Sequence, residues 1–327
     1  MIWLQFLVSA GLVVFAAIKL AEYGDVIAVR TRLSGMFIGT LLLAGATSLP
    51  ELLSALNALA IDVPNLAAGS MFGSSMFNMF MLAILDLLTQ QARILLQVAI
   101  NHALTASLAI LLMGLVIFSL LSGLDFSLGW IGIDSLVIIA VYAGGVRMIQ
   151  NQGGKPPSEV PAEIPGIPSL RQALLGFGAA TLGLVLVTPY LVRSADGIAV
   201  ITGLSAGFIG AALLAVVTSL PEMVATVAAV RMHAYDLAVG NLFGSNLFNM
   251  FALGLTDVLF LGGRFLGVID SSFAVIAVLG LIMTSLGLVG IIARVEHRLI
   301  IVEIDALLIL IGYFLGMWFL YNQGLSF

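Results

Sequence analysis

Polar residues are sparse along this chain, and they gather into short intervals between long apolar runs. A membrane-crossing helix needs roughly 20 predominantly apolar residues. The runs at 3–20, 33–60, 66–88, 96–121, 127–149, 171–192, 204–230, 237–261, 270–293 and 300–321 therefore predict ten spans. The one extended polar interruption is NQGGKPPSEVPAEIPGIPS at 151–169. Its Pro, Gly and mixed charges carry no core-forming pattern, so it predicts a connector. It splits the chain into 1–150 and 171–327, joined by a linker over 151–170. The first run has no basic segment ahead of it and no small-residue cleavage pattern, so 3–20 reads as a retained helix and not a removed leader.

The two halves repeat one another at a constant offset of 171 residues. Between 43–80 and 214–251, 18 of 38 positions are identical without a gap, too many for unrelated helices drawn from a small apolar alphabet. Asp25, Ser34, Asp86, Asp134 and Tyr142 also match Asp196, Ser205, Asp257, Asp305 and Tyr313. The chain is an internal duplication. An odd number of spans per copy places the copies in opposite orientations. The fold expected is an all-α polytopic membrane protein of ten helices, built as two inverted five-helix repeats.

Composition agrees: hydrophobic residues make up 61% of the 327 residues and charged ones only 9%. A water-soluble domain carries about a quarter charged residues, so lipid is the solvent here. No cysteine is present, which excludes disulfides and thiolate metal sites. In the ten-span plan, loops on one side hold Lys19, Arg30, Arg32, Arg93, Arg147, Lys155, Arg171, Arg231, Arg294 and Arg298, against Arg193 and Arg264 on the other. That bias predicts a cytoplasmic linker and both termini outside. Asp25 and Asp196 read as loop caps, and Asp86, Asp134, Asp257 and Asp305 as carboxylates solvated at the membrane interface.

Two stretches place chemistry at mid-membrane depth. LLLAGATSLPELLSAL (41–56) and ALLAVVTSLPEMVATV (212–227) each set Thr, Ser, Pro and Glu inside an apolar run. Pro50 and Pro221 cannot donate to the carbonyls of Ala46 and Val217, so helices 2 and 7 should be broken there. Irregular backbone at that depth is tolerated only where it is buried in protein or lines a cavity. The break exposes oxygens beside Thr47, Ser48 and Glu51, and beside Thr218, Ser219 and Glu222. A single Pro often marks only a kink, but two Pro-Glu pairs at matching positions do not fit that account. In GSMFGSSMFNMF (69–80) and GNLFGSNLFNMF (240–251), Ser70, Ser74 and Asn78 share one face, as do Asn241, Ser245 and Asn249. Gly69, Gly73, Gly240 and Gly244 read as packing stripes and not as ligands. Carboxylate, amide, hydroxyl and backbone oxygens suit a hard cation taking about 6–8 oxygen ligands, Ca²⁺ or Na⁺. The three histidines, 102, 233 and 297, fall at loops or helix ends, which disfavours a zinc-type site.

TSLPE followed by G-x-x-x-G-S-x-x-F-N, present twice, resembles the α-repeats of the calcium/cation antiporter superfamily, the sodium/calcium exchangers and their prokaryotic relatives. The resemblance implies a secondary antiporter of the cell (inner) membrane. It implies Glu51 and Glu222 as central Ca²⁺ ligands, with Thr47, Ser48, Ser74, Asn78, Thr218, Ser219, Ser245 and Asn249 around them. The carbonyls of Ala44 and Ala215 lie where the family uses backbone oxygen for Na⁺. Repeat 1 departs from the family pattern at Ser70 and Ser75, where repeat 2 keeps Asn241 and Asn246. Repeat 2 has Val216 and Val217 where small residues are usual. Asn78 and Asn249 are both amides, which argues against potassium dependence.

No HExxH, GxSG or GxGD motif and no GxxxxGK[ST] phosphate loop occurs, which disfavours an enzyme or a nucleotide-driven pump. The expected partners are transported Ca²⁺ and Na⁺ and the bilayer, with no cofactor, nucleic acid or nucleotide, and the expected state is a monomer. H⁺ in place of Na⁺ is the alternative counter-ion, because two H⁺ would match the two carboxylates. The flanking hydroxyl and backbone oxygens, superfluous for protons, favour Na⁺.

Overall fold

The structure, a computed structural model, describes residues 1–31, 43–89, 102–123, 126–152, 168–293, 298–299 and 302–323. In the first half, α1 (Ile2–Arg30) is followed by α2 (Ala44–Thr47), α3 (Leu49–Ala60), α4 (Pro64–Leu88) and α5 (His102–Ser122). A two-residue hairpin, β1 (Ser127–Leu128) with β2 (Ile131–Gly132), leads into α6 (Ile133–Gln152). The second half contains α7 (Leu170–Thr202), α8 (Ala206–Ile209), a wide π-turn over Gly210–Leu214, α9 (Ala215–Thr218), α10 (Leu220–Arg231) and α11 (Tyr235–Leu259). It closes with α12 (Phe265–Val268), α13 (Phe273–Ala293), the hairpin β3 (Arg298–Leu299) with β4 (Val302–Glu303), and α14 (Ile304–Gln323). From α2 onward the bounds of the main elements recur at the 171-residue offset, so α3, α4, α5 and α6 correspond to α10, α11, α13 and α14.

Among the described residues eight helices are long and apolar enough to cross a membrane, or nine if the pair 206–218 and 220–231, bent by 45°, is one span. The remaining sequence-predicted span, 33–60, appears as α2 and α3; its residues 33–42 lie outside the described residues, as do 96–101 and most of the 151–169 connector. Ser34, Arg32, Arg93, Lys155, Arg294 and His297 also lie outside them.

Burial sorts the helices into two classes. The most apolar window of α4 is 78% buried and that of α11 is 72%, against 22–39% for the other spans, so this pair forms the centre. The remaining helices bury one stripe. In α1 it runs through Phe6, Ala10, Val13, Ala17 and Leu20, at helical spacing, and packs along α7 through Leu184, Leu191, Ala195 and Ile198. Their outer faces expose Leu4, Leu7, Phe15, Leu182 and Leu186. In water such a face would be an adhesive patch; in hydrocarbon it is already solvated.

Glycine lets the two halves meet closely. A Cβ at Gly69 would stand 2.2 Å from the carbonyl oxygen of Gly207, and one at Gly73 would stand 2.6 Å from Ala211 Cα. The α4 backbone therefore rides directly on the segment that leads into α9, as the small-residue stripe predicts.

Several sequence expectations need correction. The segments 3–20 and 171–192 underestimate α1 and α7, which have 29 and 33 residues. Their polar residues mark no boundary: Lys19 sits within α1 beside Glu22 at 2.6 Å, and Asp25, Arg193 and Asp196 are helical and not loop residues or loop caps. The segments 127–149 and 300–321 begin in hairpins, not helix. Nor are the aspartates at segment ends simply solvated. Asp257 is fully buried and accepts from the backbone N–H of Gly132 (2.7 Å) and of Phe265, which anchors loops from both halves. Asp134 pairs with Arg264 at 2.6 Å and accepts from Ser119, and Asp86 is buried.

Candidate functional site

The break predicted at each Pro is present, two residues earlier in the chain. Ser48 (φ −87°, ψ 7°) separates α2 from α3, and Ser219 (φ −88°, ψ 3°) separates α9 from α10. These angles belong to the sparsely populated bridge region. Pro50 and Pro221 fall in the first turn of the downstream helices, where a missing N–H costs nothing because that turn has no intrahelical acceptor. Glu51 and Glu222 follow in the same turn, one residue after each Pro, and both are 1% exposed.

The hinge serines cross between the halves. Ser48 Oγ donates to Glu222 Oε1 at 2.8 Å, and Ser219 Oγ donates to Glu51 Oε1 at 3.0 Å. From the central helix α4, Ser74 Oγ lies 3.4 Å from Glu51 Oε1 and 3.5 Å from the carbonyl oxygen of Ala215. Thr47 Oγ1 donates back to the carbonyls of Leu43 (3.0 Å) and Ala44 (3.2 Å), and Thr218 Oγ1 to those of Leu214 (3.0 Å) and Ala215 (3.3 Å). With their protons turned toward the helix, both threonines keep lone pairs free for another partner.

Several buried polar atoms have no hydrogen-bond partner among the described residues: Glu51 Oε2, Glu222 Oε2, Asn78 Oδ1, Ser245 Oγ and both amide atoms of Asn249. Each such atom is costly unless something satisfies it. Asn78 Nδ2 donates to Asn246 Oδ1 at 3.0 Å. Direct contacts thus link Glu222, Ser48, Ala44 and Thr47 in one set, and Glu51, Ser219, Ser74, Ala215 and Thr218 in a second. The structure buries Asn78, Ser245 and Asn249 on the central helices with oxygens left over.

Ser70 and Asn241 part company. Asn241 Nδ2 donates to Thr226 Oγ1 (3.1 Å) and the Glu222 carbonyl (3.4 Å), tying α11 to α10. Ser70 Oγ has no partner among the described residues. Sequence reading did not assign Asn246 to the site. Its signal was visible, however, as the amide in GSNLFN where the first copy has Ser75.

Electrostatically the centre is unusual. Two buried carboxylates face hydroxyls and carbonyls, and neither takes part in an ion pair among the described residues. Nor do three His, Cys, Asp or Glu side chains cluster among those residues. His102 is buried 3.3 Å from Asp236, and His233 occupies a left-handed turn (φ 59°); neither contacts the glutamates. Burying an uncompensated carboxylate costs several kcal/mol or more. An arrangement of carboxylate and neutral oxygens with no protein cation is complementary to a hard metal cation.

These features define a multi-pass membrane protein with a buried, oxygen-lined carboxylate pair between broken helices. The chain belongs to the sodium/calcium exchanger protein family, whose model matches residues 1–148 and 172–322. It is 29% identical over 253 residues to the inner membrane protein YrbG of Escherichia coli (strain K12), covering 76% of this chain and 77% of that protein. The fold is similar to that of the sodium-calcium exchanger NCX_Mj, with TM-score 0.63 and 23% identity, covering 97% of this chain and 99% of that one. It is also similar to that of an H⁺/Ca²⁺ exchanger, CAX, with TM-score 0.73 and 13% identity, covering 99% and 86%. At these identities the structural likenesses establish the fold alone. Family membership, drawn first from TSLPE and G-x-x-x-G-S-x-x-F-N, is borne out, and it is membership in a family of cation antiporters.

Proposed function

We propose that the protein exchanges Ca²⁺ for Na⁺ across the cell (inner) membrane by alternating access. The observation that carries this reading is the crossed pairing of Ser48 with Glu222 and Ser219 with Glu51. It ties both halves of the chain to two buried carboxylates that no side-chain cation neutralises among the described residues. The donor set is Glu51, Glu222, Thr47, Ser48, Thr218, Ser219, Ser74, Asn78, Ser245 and Asn249, with the carbonyls of Ala44 and Ala215. One Ca²⁺ balances two carboxylates, and the surrounding neutral oxygens serve Na⁺.

Contacts that group the helix ends into two sets support ten spans in two inverted repeats, and the Lys/Arg bias supports a cytoplasmic linker and both termini outside. At the end assigned to the cytoplasm, Arg30 Nε donates to the Pro168 carbonyl (3.1 Å) and His102 meets Asp236. At the other, Trp130 Nε1 donates to the Val258 carbonyl (3.1 Å), Arg264 pairs with Asp134, and the Asp270 N–H donates to Asn65 Oδ1 (3.0 Å). The functional unit is a monomer, since each half supplies the other's partners within one chain.

A second reading, Ca²⁺/H⁺ exchange, is favoured by one feature: each glutamate uses Oε1 in a hydrogen bond and leaves Oε2 open to protonation. Purified protein in liposomes discriminates the two. An outward sodium gradient should drive ⁴⁵Ca uptake at fixed pH, while a pH gradient without Na⁺ should not. The reverse result would establish proton exchange.

A further inference from the structure

A buried chain of hydrogen bonds starts at Asn78, one helical turn past Ser74. Asn78 Nδ2 donates to Asn246 Oδ1 at 3.0 Å, and Asn246 Nδ2 donates to Thr284 Oγ1 at 3.4 Å. All three residues are at most 1% exposed, so bulk water does not reach their polar atoms. The far end sets the direction of the chain. The single hydroxyl proton of Thr284 has two targets, the Gly280 carbonyl at 2.7 Å and Met113 Sδ at 3.8 Å. Used on either, it leaves only lone pairs facing Asn246. Asn246 must then turn its NH₂ to Thr284 and its oxygen to Asn78. Asn78 must in turn present its NH₂ to Asn246, which leaves its own oxygen unpartnered.

We propose that Asn246 is a positioning residue: with Thr284 behind it, it locks the Asn78 amide so that oxygen, and not NH₂, is offered to the bound cation. The inference rests on the ion-site reading above. An amide turned the other way would aim its positive NH₂ at the cation. Orientation therefore separates a ligand from a repulsive group, although the two forms have nearly the same shape.

The device exists in one copy. In the first half the positions matching Asn246 and Thr284 hold Ser75 and Met113. Ser75 Oγ donates to the Met71 carbonyl of its own helix at 3.2 Å, and a thioether cannot stand in for a hydroxyl. Asn249, the counterpart of Asn78, accordingly has neither amide atom partnered among the described residues. One half of the site has its amide orientation imposed; the other is free to turn.

The test is ⁴⁵Ca binding to the purified full chain in detergent, read as a double-mutant cycle. Asn246→Ser installs the residue the first half already carries, and should weaken Ca²⁺ binding about tenfold, the lower end for an outer partner of a metal ligand. Thr284→Val leaves Asn246 in place but frees its direction, and should shift affinity the same way by a smaller factor. In an Asn78→Ser background, where no amide remains to be oriented, both penalties should vanish; in an Asn249→Ser background they should persist. Equal penalties in every background, or none in the parent, would overturn the inference. If Asn246→Ser does not purify as a folded protein, Thr284→Val carries the same cycle. Parent protein that binds no Ca²⁺ would instead overturn the ion-site reading, and this inference with it.

Discussion

The Ser48 hydroxyl stands 2.8 Å from a carboxylate oxygen of Glu222, 174 residues further along the chain, and its repeat counterpart Ser219 stands 3.0 Å from Glu51. Each hinge serine therefore serves the glutamate of the other half. A hydrogen bond to an ionised group contributes about 1.5–3 kcal/mol. Ser48→Ala and Ser219→Ala should each lower Ca²⁺ affinity by roughly tenfold or more. Glu51→Gln and Glu222→Gln remove a charge and should abolish exchange, yet both should fold, since a neutral amide is easier to bury than an unpaired carboxylate. Transport assays with thermal unfolding of the same preparations check both points. Near parental Ca²⁺ flux in either glutamine variant would exclude a paired-carboxylate site.

Much of this arrangement was legible in the sequence because it is carried by residues whose physics is local. Pro50 and Pro221 mark real breaks because each lies two residues past a serine hinge, in the first turn of a new helix. Pro189, alone inside the continuous α7, shows that proline by itself does not do so. What sequence could not supply is which residue of one half faces which residue of the other. The repeat offset equates Ser48 with Ser219 but says nothing of their crossing to Glu222 and Glu51. Asp134 and Asp257 sit near segment ends, and only the packed structure brings Arg264 to the first and the Gly132 N–H to the second. The same limit hid Asn246, whose role depends on Asn78 and Thr284 together. Helix length failed for a different reason. Lys19 and Arg193 resemble span boundaries in a hydropathy pattern, yet helices as long as α1 and α7 carry such residues within them.

Gly69 provides a packing test. An added methyl would meet the Gly207 carbonyl oxygen at 2.2 Å, and that atom is backbone, so it cannot swing aside. Gly69→Ala should destabilise the protein by about 1–3 kcal/mol, the usual range for overpacking. This holds even though alanine is the better helix former by roughly 1 kcal/mol. Gly11→Ala, where nothing lies within 4 Å, should leave the melting temperature unchanged or raise it. Equal melting temperatures for the two variants would show that α4 does not ride on the Gly207 segment.

Orientation can be read with single cysteines, because the chain has none of its own. Ala60, the last residue of α3, and Met232, just past the end of α10, are both exposed and occupy nearly equivalent places in the two halves. If the repeats are inverted, Ala60→Cys labels with a membrane-impermeant maleimide only from outside, and Met232→Cys only from the cytoplasm. Labelling of both from the same side would exclude the inverted plan.

The counter-ion can be identified from charge. In the proposed site Glu51 and Glu222 are the two acidic groups, and Asn78 and Asn249 would add oxygen without adding charge near neutral pH. If three Na⁺ replace one Ca²⁺, the sodium-loaded site carries one net positive charge and the calcium-loaded site none. In liposomes loaded with Na⁺, each Ca²⁺ taken up then sends one net positive charge outward, a movement worth about 2.3 kcal/mol for each 100 mV of potential. A potential made positive inside with potassium and valinomycin should accelerate Ca²⁺ uptake, and the opposite potential should slow it, at fixed pH. Exchange of two H⁺ for one Ca²⁺ moves no net charge. Uptake that ignores voltage, needs no Na⁺ and follows a pH gradient would therefore assign the proton as the coupling ion.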